Sequence, residues 1–355
     1  EYFENDLLKA HLAGSGIIGT GLGVYSPGTA YVLLHHYMGD IDGGIGAWGF
    51  ARGGMGAISN AIAASFKEYG GHVQKGSSIE EILIKNGRVK GVALENGYEF
   101  YAPIVVSNMD VKRTFLNHVS AKELPENFIK AVQRFKIRGS SAKLNISLSG
   151  FPEFPAAPKS SSFLRGDLHC TENLLELEKA YDQWKTGSWS DQPYVDMLIP
   201  TQIDPTMAPI GDHMMTVFVQ YAPYDLKVGD TRSASNWTCE SRKELSESVL
   251  NQISIACPNI RSHIKHMEIR SPLEIEQEVG LTEGNIFQGE LTFDQLFFNR
   301  PIPGYSDYSS PIKGLYMCGS STHPGGGVMG APGANAARTI LQTFSKDMHM
   351  QGYAA

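Results

Sequence analysis

The stretch that decides the fold lies near the end of the chain and reads Gly314-Leu315-Tyr316-Met317-Cys318-Gly319-Ser320-Ser321-Thr322-His323-Pro324-Gly325-Gly326-Gly327-Val328-Met329-Gly330-Ala331. An apolar, strand-like segment leads into a glycine-rich loop. The loop then enters Gly333 to Leu341, where small and apolar residues are typical of a helix. Such a loop can present backbone N–H groups and the positive end of a helix dipole to an anionic ligand. Glycine loops that bind nothing also precede helices, so this pattern alone leaves both interpretations open.

Length and composition indicate a globular protein with a large core. The chain has 355 residues, 42% of them hydrophobic and 19% charged, with a net charge of −7. This length predicts two structural lobes. The sequence has no long basic run and no apolar stretch that could span a bilayer. These features argue against nucleic acid as a partner and allow at most peripheral membrane contact. The four cysteines form no C-x-x-C pair and are expected to be buried free thiols: Cys170, Cys239, Cys257 and Cys318.

Residues 53–108 read as a helix followed by a β-meander. Met55 to Tyr69 carries apolar residues at helical spacing, and Gly70-Gly71 ends the helix. Asn86-Gly87 and Asn96-Gly97 predict tight type I′ turns between strands. The expected strands are Val73, Ile79–Ile84, Val89–Leu94, Tyr98–Tyr101 and Ile104–Val106.

The pattern changes after about residue 115, where longer helices alternate with buried strands. The expected helices are Glu126–Phe135, Leu174–Trp184, Asn236–Ala256 and a start at Glu274–Glu278. The expected strands are Ala142–Leu148, Val195–Ile199, Met214–Tyr221 and His263–Ile269. This region reads as a domain inserted between two pieces of another domain.

Several segments together resemble the phytoene desaturase-like FAD oxidoreductases over nearly the whole chain. Besides the glycine loop they are Tyr31-Val32-Leu33-Leu34-His35-His36, Gly46-Ala47-Trp48-Gly49, Gly53-Gly54-Met55-Gly56-Ala57, Val105-Val106-Ser107-Asn108, Gly284-Asn285-Ile286-Phe287 and Asp294-Gln295-Leu296. The resemblance implies a mixed α/β (α+β) fold in which a substrate domain of mixed sheet plus helices interrupts an FAD/NAD(P)-binding domain. It implies a cap or substrate-domain segment at 1–45 and an FAD-domain segment at 46–115. A substrate domain at 116–309 and a C-terminal FAD-domain segment at 310–355 follow.

One element of that family is expected to be missing. Its members begin with a strand, a G-x-G-x-x-G turn and a helix that bind the FAD pyrophosphate. Gly14, Gly16 and Gly19 match the spacing, but no apolar strand precedes them and no helix start follows. We therefore reject this match and expect an incomplete, discontinuous FAD domain that lacks its first Rossmann unit.

The resemblance places FAD against the glycine loop. It implies that the backbone N–H groups of Val328, Met329 and Gly330 face the pyrimidine edge of the flavin. The other implied contacts in the loop are Gly319, Ser320, Gly326 and Gly327. Ser320 stands where many relatives have an acidic residue, so a hydrogen bond is available there but a charge is not. Ile79 is expected to pair its backbone with adenine.

The remaining candidates concern the substrate. His323 lies beside the flavin by resemblance and could move protons, although the alternative is that it only shapes the turn before Pro324. The expected cavity residues are His35, Tyr37, Trp48, Gly54 and Met55. If His35 and His36 lie on a strand, they cannot both face one ligand. His263-Ile264-Lys265-His266 is interpreted as structural, and no metal site is predicted.

Two functions follow from the resemblance. The first is an FAD-dependent dehydrogenase or desaturase that takes a hydride from an apolar or amphipathic small molecule. The second is a non-catalytic module that binds lipid, prenyl groups or protein. A homodimer is compatible with either. The implied location is mitochondrial for a eukaryotic protein and cytoplasmic for a bacterial one.

Overall fold

The computed structural model describes residues 2–157 and 162–350. The chain forms two compact units, and each is assembled from two separated segments. Unit 1 contains residues 1–73 and 139–279, and unit 2 contains residues 74–138 and 280–355. Both units mix helices with strands, as the sequence predicts.

The helices and strands are as follows. The helices are α1 (Asp6–Ile17), α2 (Thr29–His36), α3 (Gly56–Glu68), α4 (Glu126–Arg134), α5 (Leu174–Lys185), α6 (Cys239–Ala256), α7 (Ile260–His263), α8 (Pro272–Val279) and α9 (Ala331–Met350). The strands are β1 (Asp40–Ile41), β2 (Gly44–Ile45), β3 (Ile79–Lys85), β4 (Arg88–Leu94), β5 (Glu99–Tyr101), β6 (Val105–Ser107), β7 (Ser141–Leu148), β8 (Leu168–His169), β9 (Tyr194–Leu198), β10 (His213–Gln220), β11 (Leu226–Val228), β12 (Thr231–Ser233), β13 (Ile264–Arg270) and β14 (Leu315–Met317).

Unit 1 is built on a five-stranded antiparallel sheet with the order β13-β7-β10-β9-β8. Its strands alternate, so that one face is apolar and buried. Leu144, Val217 and Met197 are register partners across the three central strands, and all are nearly inaccessible to solvent. Leu245 and Val249 of α6 belong to the same hydrophobic core. The opposite face carries polar side chains. Lys143 and Asp196 both lie on it, since each is a register partner of Phe218.

A buried glutamine fastens the loop after α1 to this sheet. Gln220, the last residue of β10, is fully buried. Its amide nitrogen donates to the carbonyl oxygens of Ile17 and Thr20 at 2.7 and 2.9 Å. Its amide oxygen accepts from the Gly19 N–H at 3.1 Å and from the Ser141 hydroxyl at 3.1 Å. One side chain therefore satisfies backbone groups that no regular element pairs.

Unit 2 contains the β-meander β3-β4-β5 and a parallel pair formed by β6 and β14. Val89, Leu315 and Phe128 belong to one hydrophobic core, which draws residues from both segments of the unit. This shared core explains why 116–138 and 280–309 pack in unit 2, whereas the sequence placed them in the substrate domain.

The sequence predicted most of the regular elements within a few residues. The Asn86-Gly87 turn is confirmed, since both residues have positive φ, at 56° and 68°. At Asn96-Gly97 the hairpin is correct but the turn type is wrong. Only Gly97 has a positive φ, at 85°, which is typical of a turn that ends in a glycine bulge. Val73 is not in a strand.

Three further expectations need correction. His35 and His36 lie on helix α2 and not on a strand. Of the four cysteines only Cys257 is buried, since Cys170 and Cys318 are partly exposed and Cys239 is exposed, although all four are free as expected. The apolar face of the predicted helix is exposed, since Ile62 and Phe66 of α3 are 64% and 52% exposed and Met55, directly before α3, is 54% exposed.

Two other expectations concern the rejected glycine fingerprint near the start of the chain and the possibility of a membrane-spanning helix. Gly14 and Gly16 lie inside α1, so the rejection of a dinucleotide fingerprint there is confirmed. Among residues 2–157 and 162–350, none of the helices combines the length and apolar character needed to cross a bilayer.

We expect Gln220→Met to lower the free energy of unfolding by about 1–3 kcal/mol, because buried backbone groups lose their hydrogen-bond partner. Urea denaturation would measure the change. Gln183→Met on the exposed surface of α5 is the matched control and should change the value by less than about 0.5 kcal/mol. Equal effects of the two substitutions would show that Gln220 does not hold the loop.

Candidate functional site

The glycine loop starts from strand β14, which is hydrogen-bonded to β6. Strand β14 pairs in parallel with β6, and the Cys318 N–H extends the pairing by donating to the Ser107 carbonyl at 2.8 Å. Gly314 precedes β14 with a φ of 85°. A Cβ atom there would lie 2.6 Å from the Pro103 carbonyl oxygen, so a glycine is required. The loop therefore leaves the sheet from a rigid end.

The first half of the loop, residues 319–326, packs tightly inside unit 2. A Cβ atom on Gly319 would clash with the Asn108 carbonyl oxygen. One on Gly326 would lie 3.0 Å from the Phe287 ring. Ser321 is fully buried and donates to the Gln288 carbonyl at 2.6 Å. Internal packing thus explains the glycines at 319 and 326, whether or not a ligand binds.

A buried arginine holds this half of the loop. Arg300 is fully inaccessible to solvent. Its Nε and Nη2 atoms donate to the Ser320 carbonyl at 3.1 and 2.7 Å. Its other contacts are carbonyl oxygens of the preceding segment: Phe287 at 3.0 Å, Gly289 at 3.1 Å, Glu290 at 3.1 Å and Gln295 at 3.5 Å. The guanidinium group therefore ties residues 287–295 to the start of the glycine loop.

The segment 285–295 is itself ordered by three side chains. Asn285 accepts from the N–H groups of Phe287 and Gly289 at 3.0 Å each. Gln295 donates to the Glu290 carbonyl at 2.9 Å. The buried Glu290 carboxylate accepts two hydrogen bonds from Arg138, at 2.6 and 2.8 Å. Sequence reasoning missed Arg300, but it singled out two motifs of this segment, around Asn285 and Gln295.

The second half of the loop, residues 327–330, is exposed. Gly327 and Gly330 have φ angles of 143° and 66°, and Val328 also has a positive φ of 56°. Val328 is 72% exposed and Met329 is 45% exposed. A Cβ atom on Gly330 would meet nothing within 4 Å. This half is accessible to a ligand, and its conformation does not follow from internal packing.

Helix α9 begins directly after the exposed half. The Ala334 N–H donates to the Gly330 carbonyl at 3.1 Å, which marks the first turn. The N–H groups of a first helical turn have no partner within the helix, and the helix dipole adds partial positive charge there. Residues 327–331 thus combine open space, extra backbone freedom and a helix N-terminus. These features fit the anionic edge of a planar cofactor such as flavin.

The structure places the other predicted cofactor residues in the same unit. The His323 carbonyl accepts from the Tyr308 hydroxyl at 2.9 Å, and Asn335 of α9 donates to that hydroxyl at 2.9 Å. This chain of bonds links the backbone of the loop to α9, and the role of the His323 side chain stays a prediction. Ile79 begins β3, is half-buried and lies opposite Leu94. Flavin contact at these positions stays a prediction.

The predicted substrate-cavity residues all lie in unit 1, and their contact with a substrate stays a prediction. Trp48 donates to the His36 carbonyl at 3.1 Å, and its ring centroid is 6.2 Å from that of Tyr37. His35 is buried, whereas Met55 is exposed. Gly54 has a φ of 88°, and a Cβ atom there would lie 3.3 Å from Met207. Tyr37 lines a polar cavity within this unit.

Comparison with known proteins shows which of them this chain is similar to. No protein-family model matches the chain. Pyridine nucleotide-disulfide oxidoreductase domain-containing protein 2 of Rattus norvegicus is 37% identical over 354 residues, an alignment that covers 96% of this chain and 59% of the rat protein. The chain is related to that protein. It thus spans about three-fifths of the length of this relative.

Two proteins of lower sequence identity are also similar to this chain. Chloroplastic prolycopene isomerase of Daucus carota is 26% identical over 290 residues, which cover 80% of this chain and 42% of the carrot protein. Among solved structures, an oxidoreductase from Methanosarcina mazei superposes with a TM-score of 0.55 at 17% identity, over 90% of this chain and 63% of that one. At this identity the superposition shows a shared fold.

We expect Arg300→Lys to lower the free energy of unfolding by about 2–4 kcal/mol, because an ammonium group cannot reach the same set of buried carbonyls. Thermal or urea denaturation would measure this loss. Arg134→Lys, at the exposed end of α4, is the matched control and should be nearly neutral. A stable Arg300→Lys variant would contradict the role assigned to the guanidinium group.

Proposed function

We propose that this chain is part of an FAD-dependent oxidoreductase that takes a hydride from a C–H bond of an apolar or amphipathic substrate. The observation that carries the proposal is the exposed half of the glycine loop, residues 327–330, at the N-terminus of α9. The relationship to a carotenoid-converting isomerase and to a protein named for an oxidoreductase domain supports it. The substrate is proposed as a class, because similarity of fold does not transfer substrate.

The residues that would hold FAD come from both segments of unit 2. The backbone N–H groups of Val328, Met329 and Gly330 would bind the pyrimidine edge of the flavin. The Ser320 hydroxyl would donate or accept a hydrogen bond near the phosphate and ribityl groups. Ile79 would pair its backbone with adenine. When bound, FAD supplies the hydride acceptor, which no side chain of the protein provides.

The protein's own contribution is orientation and exclusion of water. Arg300 and the packed glycines fix residues 319–326 before any ligand arrives, so binding would have to order only residues 327–330 of the loop. The apolar side chains of Val328 and Met329 would cover the ligand. Hydride transfer does not require a basic side chain, so the proposal does not depend on His323.

A second candidate function is a non-catalytic module that binds lipid, a prenyl group or protein. Exposed apolar side chains favour it, namely Met55 directly before α3 and Ile62 and Phe66 on α3. A binding module has no need for a cofactor loop, so retention of flavin separates the two candidates.

We expect Gly327→Leu, made in the product of the full-length gene, to reduce flavin retention at least about tenfold, because a side chain at a φ of 143° strains and blocks the loop. The flavin bands in the visible spectrum, recorded after desalting, would measure retention. Gly304→Leu is the matched control, since Gly304 also has a positive φ, at 89°, and open space around it in unit 2.

Unchanged flavin content in the Gly327→Leu variant would contradict the placement of the loop beside the flavin. Wild-type protein that stays colourless after incubation with FAD would contradict the proposed oxidoreductase and favour the binding module.

A further inference from the structure

A polar cavity of about 180 Å³ lies within unit 1. Seven residues line it: His11, Ser15, Tyr37, Asp167, His169, Tyr194 and Asp196. Sequence reasoning singled out only Tyr37 among them. The other six come from a helix, two strands and a loop, so their convergence is visible only in the folded chain.

The sheet and α1 together build this cavity. Tyr194 and Asp196 alternate along β9, and their side chains lie on the face opposite the apolar core. His169 of β8 is the register partner of Asp196. On α1, Gly14 allows the close approach, because a Cβ atom there would lie 2.5 Å from the Tyr194 hydroxyl oxygen. The cavity walls are therefore regular elements and not flexible loops alone.

Two buried atoms in the wall have no hydrogen-bond partner within the described part of the chain. They are Oδ1 of Asp196 and Nδ1 of His169. The other ring nitrogen of His169, Nε2, lies 2.5 Å from Nδ1 of His11, and the two rings stack with centroids 4.7 Å apart. Folded proteins rarely leave a buried carboxylate oxygen unsatisfied, so a donor is expected in the cavity.

The electrostatics of the cavity favour a cation. Burial lowers the pKa of His169 to about 4, so this ring is neutral at physiological pH. Burial raises the pKa of Asp196 to about 7, and the nearby Asp167 adds to the rise. Burial also raises the pKa of Asp167. Lys143, which lies on the same face of the sheet two strands away, opposes this rise with its positive charge, and burial lowers the pKa of its ammonium group. A bound cation would offset the repulsion between the two carboxylates.

We propose that this cavity binds a primary alkylammonium group. Its three N–H donors suit the Asp196 and Asp167 carboxylates and the Ser15 hydroxyl. Tyr37 and Tyr194 add aromatic rings, which attract organic cations. A metal ion is less suited, because residues 2–157 and 162–350 hold no group of three or more His, Cys, Asp or Glu placed to coordinate one. The proposal goes beyond the flavin site and does not depend on it.

Isothermal titration calorimetry at pH 8 with n-hexylamine tests the proposal. At this pH Asp196 is ionised and the amine is protonated. Hexan-1-ol and sodium hexanoate have the same chain length without the positive charge. We expect binding of hexylammonium and none of the other two at matched concentration. No binding of hexylammonium, or equal binding of hexan-1-ol, would overturn the proposal.

Substitution of each aspartate tests whether its carboxylate binds hexylammonium. Asp196→Asn should weaken hexylammonium binding by about tenfold or more, because a charge-assisted hydrogen bond is lost. Asp167→Asn should also weaken hexylammonium binding. The site can therefore still be tested if one of the two variants folds poorly. Asp230→Asn, in the exposed turn between β11 and β12, is the matched control and should bind like wild type. Wild-type affinity in folded Asp196→Asn protein would refute the site.

The pH dependence gives an independent readout. Lowering the pH from 8 to 6 protonates Asp196, whose pKa is about 7, and should weaken hexylammonium binding to the wild type. The same change should have a much smaller effect on the Asp196→Asn variant. His11, His169, Tyr37, Tyr194, Asp167 and Lys143 are the other titratable groups that face this carboxylate. Equal pH dependence in both proteins would show that Asp196 does not bind the amine.

Discussion

The candidate flavin site depends on the hydrogen bonds that the buried guanidinium group of Arg300 donates to backbone carbonyl oxygens. Burying a charge without partners is strongly unfavourable, but here backbone carbonyl oxygens from two segments surround it. The same bonds satisfy carbonyls that no strand or helix pairs. Because Ser320 is one of the acceptors, the arginine sets the path of the glycine loop where it leaves β14.

The glycine loop therefore has two halves, and glycine is required in each half for a different physical reason. Gly319 and Gly326 have no room for a side chain, because Asn108 and Phe287 pack against them. Gly327 and Gly330 are exposed, and their φ angles are ones that side chains disfavour. A glycine-rich motif can therefore combine packing and ligand contact. The half that is free of packing constraints is the part best suited to bind a cofactor.

The sequence predicted the elements that depend on local patterns. The longer strands of unit 1 and the meander of unit 2 follow from apolar patterns and from Asn-Gly turns. It could not predict features that depend on distant partners. Nothing in the sequence around Arg300 indicates full burial, and the cavity brings His11 together with His169 and Asp196, which lie 158 or more positions further along the chain. Similarly, helical spacing predicted α3 but not that its apolar face is exposed.

Hydrogen–deuterium exchange of the full-length gene product, with and without FAD, tests the central claim most directly. The account predicts that FAD slows exchange of the backbone amides at residues 327–331, at the start of α9. The turn at Gly304, which has similar exposure, should exchange at the same rate in both states. Binding of FAD without any slowing at residues 327–331 would contradict the account, because the cofactor would then lie elsewhere.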